Sequence, residues 1–207
     1  MAYDEARDNM IVFGGRPTTS SVPLGDSHTY NGTWTNVTGG TTPGGRRWPV
    51  ASYDPMRAKV VLFGGVLGSS GDVLGDTWEW NGESWSGRTV APAPAPRLQS
   101  AMTYDPVRRS VLLFGGLDAA AMNDLWSWDG ASWTPIIATN APPAARYAHG
   151  MVFDSVRARV VLFGGTDGSS TFADTWELSY DAATGSSTWI LRDNNSPLGA
   201  RSGFEMG

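Results

Sequence analysis

The sequence predicts an all-β protein built from four copies of one structural unit. A short apolar run that ends in two glycines recurs at steps of 50, 51 and 49 residues, which is typical of a repeat architecture. The glycine pairs are Gly14-Gly15, Gly64-Gly65, Gly115-Gly116 and Gly164-Gly165. No stretch of the chain has helical periodicity, and prolines or glycines interrupt nearly every candidate. Together these observations leave strands and turns as the building blocks.

An arginine begins the second, third and fourth copies and the closing segment, and every copy contains a predicted hairpin turn. The initial arginines are Arg46, Arg97, Arg146 and Arg201. An aspartate follows, and a second arginine stands three residues after it: Asp4 and Arg7, Asp54 and Arg57, Asp105 and Arg108, Asp154 and Arg157. At this spacing a carboxylate and a guanidinium can bridge a turn, and Pro55 presets its backbone. We therefore expect a structural ion pair in every copy.

The apolar run comes next and predicts a buried strand. Residues 60–63 are short, β-branched and continuously apolar, and glycine stops them, as expected of a strand covered on both faces. The same pattern recurs at residues 10–13, 111–114 and 160–163. After the glycines, four loops of different composition span residues 16–25, 66–75, 117–123 and 166–173. Variable loops on a rigid scaffold are common places for binding specificity.

Two aromatic strands complete each copy. In residues 77–80 tryptophan alternates with other residues, which predicts a strand with both indole rings on one face. Asn31-Gly32, Asn81-Gly82 and Asp129-Gly130 predict tight hairpin turns, since both positions tolerate positive φ, and the fourth copy has the longer residues 181–185. The closing tryptophans are Trp34, Trp85, Trp133 and Trp189. Four antiparallel strands joined by hairpins correspond to one propeller blade.

These motifs resemble the kelch-repeat family of β-propellers, over essentially the whole chain. The forms Tyr-Asp-x-x-Arg, Val-Leu-Phe-Gly-Gly and Asp-Thr-Trp-Glu-Trp are similar to its bacterial branch, which implies a bacterial source. The resemblance implies one propeller domain, 1–207, of four four-stranded antiparallel blades. The expected repeats span about 1–45, 46–96, 97–145 and 146–200, with 201–207 as a closing strand.

The two ends of the chain suggest how the propeller closes. Residues 201–206 align with residues 97–102, a strand that the first copy mostly lacks. Propellers of this family pair a C-terminal strand into the N-terminal blade, which removes open sheet edges. The tail either completes the first blade of its own chain or exchanges with a partner chain to give a homodimer. A third interpretation is that the 207 residues belong to a longer repeat protein.

Composition excludes several classes of function. The chain has no cysteine and two histidines, which excludes thiolate metal sites and the cysteine-dependent copper oxidases among kelch-like propellers. The net charge of −5 and the lack of a basic stripe argue against nucleic acid, and the longest N-terminal apolar run is far too short for a membrane span. We expect no cofactor and no metal. The compartment is open: cytoplasmic, or secreted with a leader absent from this chain.

The four initial arginines are the first candidate ligand-binding residues. In the kelch adaptor proteins that this chain resembles, arginines at such positions meet acidic peptides, and a guanidinium can bind carboxylates in a bidentate manner. The structural alternative is that Arg46, Arg97, Arg146 and Arg201 pair with neighbouring aspartates, among which Asp76, Asp124 and Asp174 are candidates. We favour this alternative, because a residue repeated in every copy is typical of architecture.

Residues that differ between the copies form the second candidate site. Along the first strand, Trp48, Gln99, His149 and Glu205 would give an axial pocket an aromatic ring, an amide, an imidazole and a carboxylate. Such a set suits a sugar or another polar small molecule. The structural alternative is an unliganded channel, and we favour it. The other nine tryptophans are explained by packing between blades.

We therefore expect a non-catalytic interaction module that binds a protein or a peptide. The alternative is a lectin-like, carbohydrate-binding propeller. A second alternative is a sugar mutarotase-like enzyme that uses Glu205 and His149 for acid–base chemistry. The sequence contains no Gly-x-Ser-x-Gly nucleophile motif, and no catalytic residue is assigned.

Overall fold

The computed structural model describes residues 1–68, 70–204 and 206, and it shows an all-β chain. No helix that is long and apolar enough to cross a membrane occurs among these residues. The chain divides into two compact units, unit 1 (Met1–Leu98) and unit 2 (Gln99–Gly207). Each unit holds two four-stranded antiparallel sheets.

Unit 1 contains eleven strands. They are β1 (Ala2–Asp4), β2 (Asn9–Phe13), β3 (Ser27–Tyr30), β4 (Trp34–Asn36), β5 (Arg46–Arg47), β6 (Val50–Asp54), β7 (Lys59–Phe63), β8 (Val66–Leu67), β9 (Asp72–Val73), β10 (Thr77–Trp80) and β11 (Trp85–Arg88). Sheet 1 has the order β1-β2-β3-β4, and sheet 2 has the order β6-β7-β10-β11. The short strands β5, β8 and β9 form a separate small sheet, and β5 contains Arg46, the arginine that starts the second copy.

Unit 2 repeats the plan with eight strands. They are β12 (Ala101–Asp105), β13 (Ser110–Leu117), β14 (Ala121–Trp128), β15 (Trp133–Ile136), β16 (Gly150–Asp154), β17 (Arg159–Phe163), β18 (Thr175–Asp181) and β19 (Ser186–Asp193). Sheet 3 has the order β12-β13-β14-β15, and sheet 4 has the order β16-β17-β18-β19. The predicted class and the four four-stranded antiparallel sheets are confirmed. The number of blades in a closed ring and the single-domain organisation stay predictions.

The apolar runs form the second strand of each sheet, as the sequence predicts. The apolar side chains of residues 60–63 in β7 and 111–114 in β13 are fully buried, because both faces of the sheet are covered. The core of unit 1 joins Ile11 of sheet 1 to Val60 and Leu62 of sheet 2. In unit 2, Leu112 and Phe114 of sheet 3 pack in one cluster with the apolar residues of sheet 4. Each core therefore lies between two neighbouring sheets.

The glycine pairs bind the arginine that begins the next copy. The second glycine donates its backbone N–H to the arginine carbonyl oxygen at 2.9 Å in all four copies. The first glycine has a φ of 62–69°, and a Cβ atom at Gly64 would lie 2.4 Å from the Arg97 oxygen. A residue with a side chain does not fit this close contact between the glycine and the arginine carbonyl oxygen. The repeated Gly-Gly thus marks a backbone contact that the architecture requires.

All four predicted ion pairs are present in the turns between the first and second strands. Arg7 pairs with Asp4 at 2.8 Å, Arg57 with Asp54 at 2.7 Å and Arg157 with Asp154 at 2.7 Å, and Arg108 also binds Asp105. In the last three turns the aspartate also accepts backbone N–H groups. The turns are therefore fixed by side chains of their own copy.

The hairpin turns before the closing tryptophans are wider than predicted. Trp80 pairs directly with Trp85, so four residues lie between the strands, and only Gly82 has a positive φ, of 99°. The Asn81 Oδ1 atom accepts the N–H groups of residues 83 and 84 at 2.9 Å. This side-chain cap stabilises a four-residue turn, which is wider than the tight turn predicted from Asn-Gly. The fourth turn was predicted to be longer, but Asp181 pairs with Ser186, so four residues again lie between the strands and that prediction was wrong.

Three closing tryptophans are buried, but Trp34 is 56% exposed. The closing tryptophan of sheet 2, Trp85, packs against Phe13 of sheet 1 and donates its indole N–H to the Ser27 hydroxyl at 2.9 Å. In the same way Trp189 of sheet 4 packs on sheet 3. The Trp34 ring packs against Tyr30, with ring centroids 5.0 Å apart. Packing of Trp34 between blades stays a prediction.

The C-terminal residues lie on sheet 4. Residues 201–204 and 206 form no strand; Gly203 donates its N–H to the Ala148 oxygen at 2.8 Å, and the Phe204 ring packs against Phe163. Glu205 lies outside the described residues. Closure of the first sheet by this tail, in one chain or between two, stays a prediction.

Candidate functional site

The initial arginine of the second copy is a buried structural residue. Arg46 is 2% exposed and forms a bidentate ion pair with Asp76, with N–O distances of 2.6 and 2.9 Å. It also donates to the carbonyl oxygens of Gly44 and Gly64 at 3.0 Å. Burial acts to raise the pKa of Asp76, but hydrogen bonds from Arg46 and the Trp78 indole outweigh it and hold this pKa below its ordinary value. The guanidinium is therefore fully occupied within unit 1.

Arg146 repeats this arrangement in unit 2. It is fully buried, binds both oxygens of Asp174 at 2.6 and 2.8 Å, and donates to the Gly164 oxygen at 2.8 Å. The Trp176 indole donates to the same carboxylate at 2.7 Å. The Phe172 ring lies 4.2 Å from the guanidinium carbon, in cation–π contact. The structural alternative, pairing with the later aspartate, is thus what both copies show.

The other two arginines differ from each other. Arg97 is fully buried, and its Nε atom donates to the Ala95 oxygen at 3.0 Å. Arg201 is exposed, and its guanidinium contacts the carbonyl oxygen of Leu198. Three of the four predicted ligand-binding arginines therefore lie inside the protein, and Arg201 alone among them presents its side chain to solvent.

Two residues after each initial arginine, the backbone takes a left-handed conformation. The φ values are 57° at Trp48, 52° at Gln99, 53° at Ala148 and 71° at Gly203. This conformation costs a non-glycine residue roughly 1–2 kcal/mol. In unit 2 these residues are linked by hydrogen bonds, from the Ala148 N–H to the Gln99 oxygen and from the Gly203 N–H to the Ala148 oxygen, each at 2.8 Å. The conformation is therefore architectural, whereas the side chain it carries varies.

The variable position carries an exposed aromatic ring in unit 1. Trp48 is 49% exposed, and the guanidinium carbon of Arg47 lies 4.6 Å from the centre of its ring. Within the described residues the Arg47 Nε atom makes no hydrogen bond. Arg47 was missed by the sequence analysis, which looked for repeated arginines; the comparable positions hold Leu98, Tyr147 and Ser202.

His149 lies in the core of unit 2. It is 5% exposed, its ring packs edge-on against Phe114, and neither ring nitrogen has a well-formed hydrogen bond among the described residues. Burial and then the charge of Arg146 lower the pKa of His149 to about 3, while Asp174 and the Phe114 carbonyl act weakly in the opposite direction. The imidazole is therefore neutral and out of reach of solvent.

The predicted axial set is thus divided. Trp48 lies in unit 1, Gln99 and His149 lie in unit 2, and Glu205 falls outside the described residues. Within unit 2, Gln99 is half-buried and His149 is buried, so only the former borders solvent. Their joint role as a ligand pocket stays a prediction.

The acidic loops are held by their own backbone. The Asp167 Oδ1 atom accepts the N–H groups of residues 169 and 170 at 2.8 and 2.7 Å, as in a capped turn. In the described part of the chain no three His, Asp or Glu side chains are grouped so as to hold a metal ion.

Comparison with known proteins supports the family expected from the sequence. The model of the KLHDC2/KLHL20/DRC7 Kelch-repeats domain matches residues 56–206, about three quarters of the chain. No curated protein matches it significantly. Kelch-repeat domains generally mediate protein–protein interactions and are typically non-catalytic. The four glycine-pair contacts, the repeated Arg–Asp pairs and this match agree: the chain belongs to the kelch-repeat family of β-propellers.

Proposed function

We propose that this protein is a non-catalytic interaction module that binds an acidic peptide segment of a partner protein through Trp48 and Arg47. The observation that carries the proposal is the exposed indole at a left-handed position. Gly203 adopts this conformation at the comparable position without strain, whereas the tryptophan at position 48 adopts it at a cost in stability. A half-exposed ring returns little of that cost through packing, which favours a role in recognition.

Charge supports an acidic ligand. Arg47 is half-buried and its guanidinium stacks on the indole, and this pair of groups suits a carboxylate beside an apolar or aromatic side chain. The neighbouring loop adds apolar surface, since Leu24 is 42% exposed and accepts the backbone N–H of Arg46 at 3.2 Å. Arg46, Arg97 and Arg146 act here as supports of the backbone. In unit 2, Gln99 and the exposed Arg201 remain candidate ligand-binding residues of that unit alone.

A carbohydrate ligand is the second candidate, because an exposed indole also stacks on sugar rings. A mutarotase-like activity has less support. Its predicted imidazole, His149, is buried and neutral, and its predicted carboxylate, Glu205, lies outside the described residues.

The test is selection of ligands from two libraries by the immobilised protein: random peptides displayed on phage, and an array of glycans. We expect enrichment of acidic peptides, with binding lost in Trp48→Ala and weakened in Arg47→Ala. Arg109→Ala, an arginine change in unit 2, is the control and should leave binding intact. Enrichment of glycans alone, or peptide binding that survives Trp48→Ala, would overturn the proposal. Arg97→Ala is unsuitable for this purpose, because removal of a buried arginine tests folding.

A further inference from the structure

Sheets 2, 3 and 4 differ in the side chains around one position of the third strand. In sheet 2 these side chains form a buried cluster of charges. Glu79 is 1% exposed, and its carboxylate binds Lys59 at 3.0 Å, Arg88 at 2.6 Å and also Arg57. The long side chains fill the space beside the sheet. Sheet 4 keeps the pattern: Glu177 binds Arg159 at 3.1 Å and Arg192 at 2.7 Å.

Sheet 3 replaces the cluster with small or apolar residues. Ser127 stands where Glu79 and Glu177 stand, as its pairing with Leu112 of the second strand shows. Ser110 takes the place of the basic residue of β7 and β17, and Ile136 takes the place of the last arginine. The Ser127 hydroxyl donates to the Ser110 hydroxyl at 2.8 Å. The volume occupied by charged side chains in sheets 2 and 4 is therefore vacated.

Sheet 4 departs from the pattern on the opposite side of the same space. Its last hairpin is longer, with seven residues in β18 and eight in β19, against four in each corresponding strand of sheet 2. The extension carries Tyr180 and Ser187. Arg108 of sheet 3 stacks on the Tyr180 ring at 4.1 Å and donates to the Ser187 hydroxyl at 2.7 Å.

The two departures together leave a groove of about 390 Å³ in unit 2. Hydroxyl groups of Ser110, Ser127, Thr134 and Tyr180 line one part of it, and Ile136 and the 86% exposed Ile137 line another. The loss of charge belongs to sheet 3 and the longer hairpin belongs to sheet 4, so two changes in different copies meet at this groove and indicate that it is specific.

The charges of the groove argue against a charged ligand. Arg108 is already paired with Asp105, so it offers no free cation. Burial acts to raise the pKa of Asp129, but the backbone N–H groups of residues 131 and 132 outweigh it and lower this pKa, so the groove also contains an ionised acceptor. Hydroxyls, one acceptor and an aliphatic wall match the alternating hydroxyl and C–H surface of a sugar.

We infer that this groove of unit 2 binds a neutral carbohydrate of one or two residues. The sugar C–H face lies against Ile136 and Ile137, and its hydroxyls exchange hydrogen bonds with Ser127, Thr134 and Asp129. The site is separate from Trp48 in unit 1 and does not depend on the proposed peptide binding.

The test begins with the unmodified protein labelled with ¹⁵N. Glucose, galactose, mannose, N-acetylglucosamine and their common disaccharides are titrated while amide shifts are followed by NMR. We expect at least one sugar to shift Ser127, Thr134 and Tyr180 and to leave Trp48 in place. Absence of saturable binding by every sugar, or shifts centred on Trp48, would overturn the inference, as would a groove that binds only a lysine-rich peptide.

The protein itself suggests the variant that closes the groove. Ser127→Glu with Ile136→Arg copies the Glu79–Arg88 pair of sheet 2 into sheet 3. The fold should be kept, and the affinity for the sugar should fall by at least about tenfold. Ile137→Asp, at an exposed position, is the second variant and needs no repacking; it should also weaken the sugar. Glu83→Gln, at an exposed position of unit 1, is the control and should leave sugar binding unchanged. Full affinity in both groove variants would contradict the site.

Discussion

Two charged regions of the molecule follow different rules. The contact of an initial arginine with a later aspartate has the same partners in units 1 and 2: two carboxylate oxygens, a glycine carbonyl and a tryptophan indole. The Glu79 cluster, by contrast, is kept in sheet 4 as Glu177 and lost in sheet 3. The first region fixes backbone geometry between copies, whereas the second fills space beside one sheet. Only the second is free to become a site.

Removal of an initial arginine should have the largest effect. Arg146→Ala leaves the partly buried Asp174 and the Gly164 carbonyl without their donor, and we expect a loss of about 3–5 kcal/mol in the free energy of unfolding. Arg157→Ala, at a 68% exposed arginine that also pairs with an aspartate, should leave the free energy of unfolding nearly unchanged, because water screens an exposed ion pair. Urea unfolding measures both. Equal stabilities of the two variants would show that Arg146 is not needed for folding and is available to bind a ligand. The contrast between the two charged regions would then be wrong.

The pH dependence of His149 should come next. Its folded pKa of about 3 lies below the ordinary 6.5, so the unfolded state binds more protons and stability is lost as the pH falls below 6.5 towards 3. His149→Phe copies the Phe204–Phe163 packing and removes the contribution of this imidazole to the pH dependence of stability. Between pH 7 and pH 4, the free energy of unfolding of the wild type should therefore fall by about 2–3 kcal/mol more than that of the variant. Parallel pH profiles of the two proteins would show that His149 reaches water.

The Glu79 cluster should give the smallest of the three effects. Glu79→Gln keeps the shape but removes the carboxylate charge from Lys59 and Arg88, while Arg57 keeps its ion pair with Asp54, and we expect a loss of about 2 kcal/mol at pH 7. Glu177→Gln, with two partners at a more exposed carboxylate, should cost under about 1 kcal/mol.

The pH profile sharpens this prediction. Burial acts to raise the pKa of Glu79, but Arg57, Lys59 and Arg88 outweigh it and lower the pKa from 4.5 to about 2. This carboxylate therefore stabilises the fold above pH 4.5, and its contribution is lost as the pH falls towards 2. The gap between wild type and Glu79→Gln should narrow accordingly in urea unfolding at pH 3. A constant gap would assign the loss to packing.

The features that the sequence predicted are those set by short-range chemistry or repeated four times. Gly64 and the Asp54–Arg57 turn belong to this class, since a φ value or a three-residue spacing decides them. The hairpin at Asn81 was predicted too tight, because a side-chain cap competes with backbone propensity. Burial of His149 and the vacancy beside Ser127 depend on which sheet lies opposite, and no pattern within one copy encodes that.

The left-handed residue two places after each initial arginine has a consequence for engineering. Tryptophan, glutamine, alanine and glycine occupy it with nearly the same backbone, so the position accepts side chains of any size. The chain therefore offers four positions for randomisation, 48, 99, 148 and 203. Each follows an arginine that is buried or hydrogen-bonded to the backbone. A combinatorial library confined to them would alter surface chemistry while the strands keep their register.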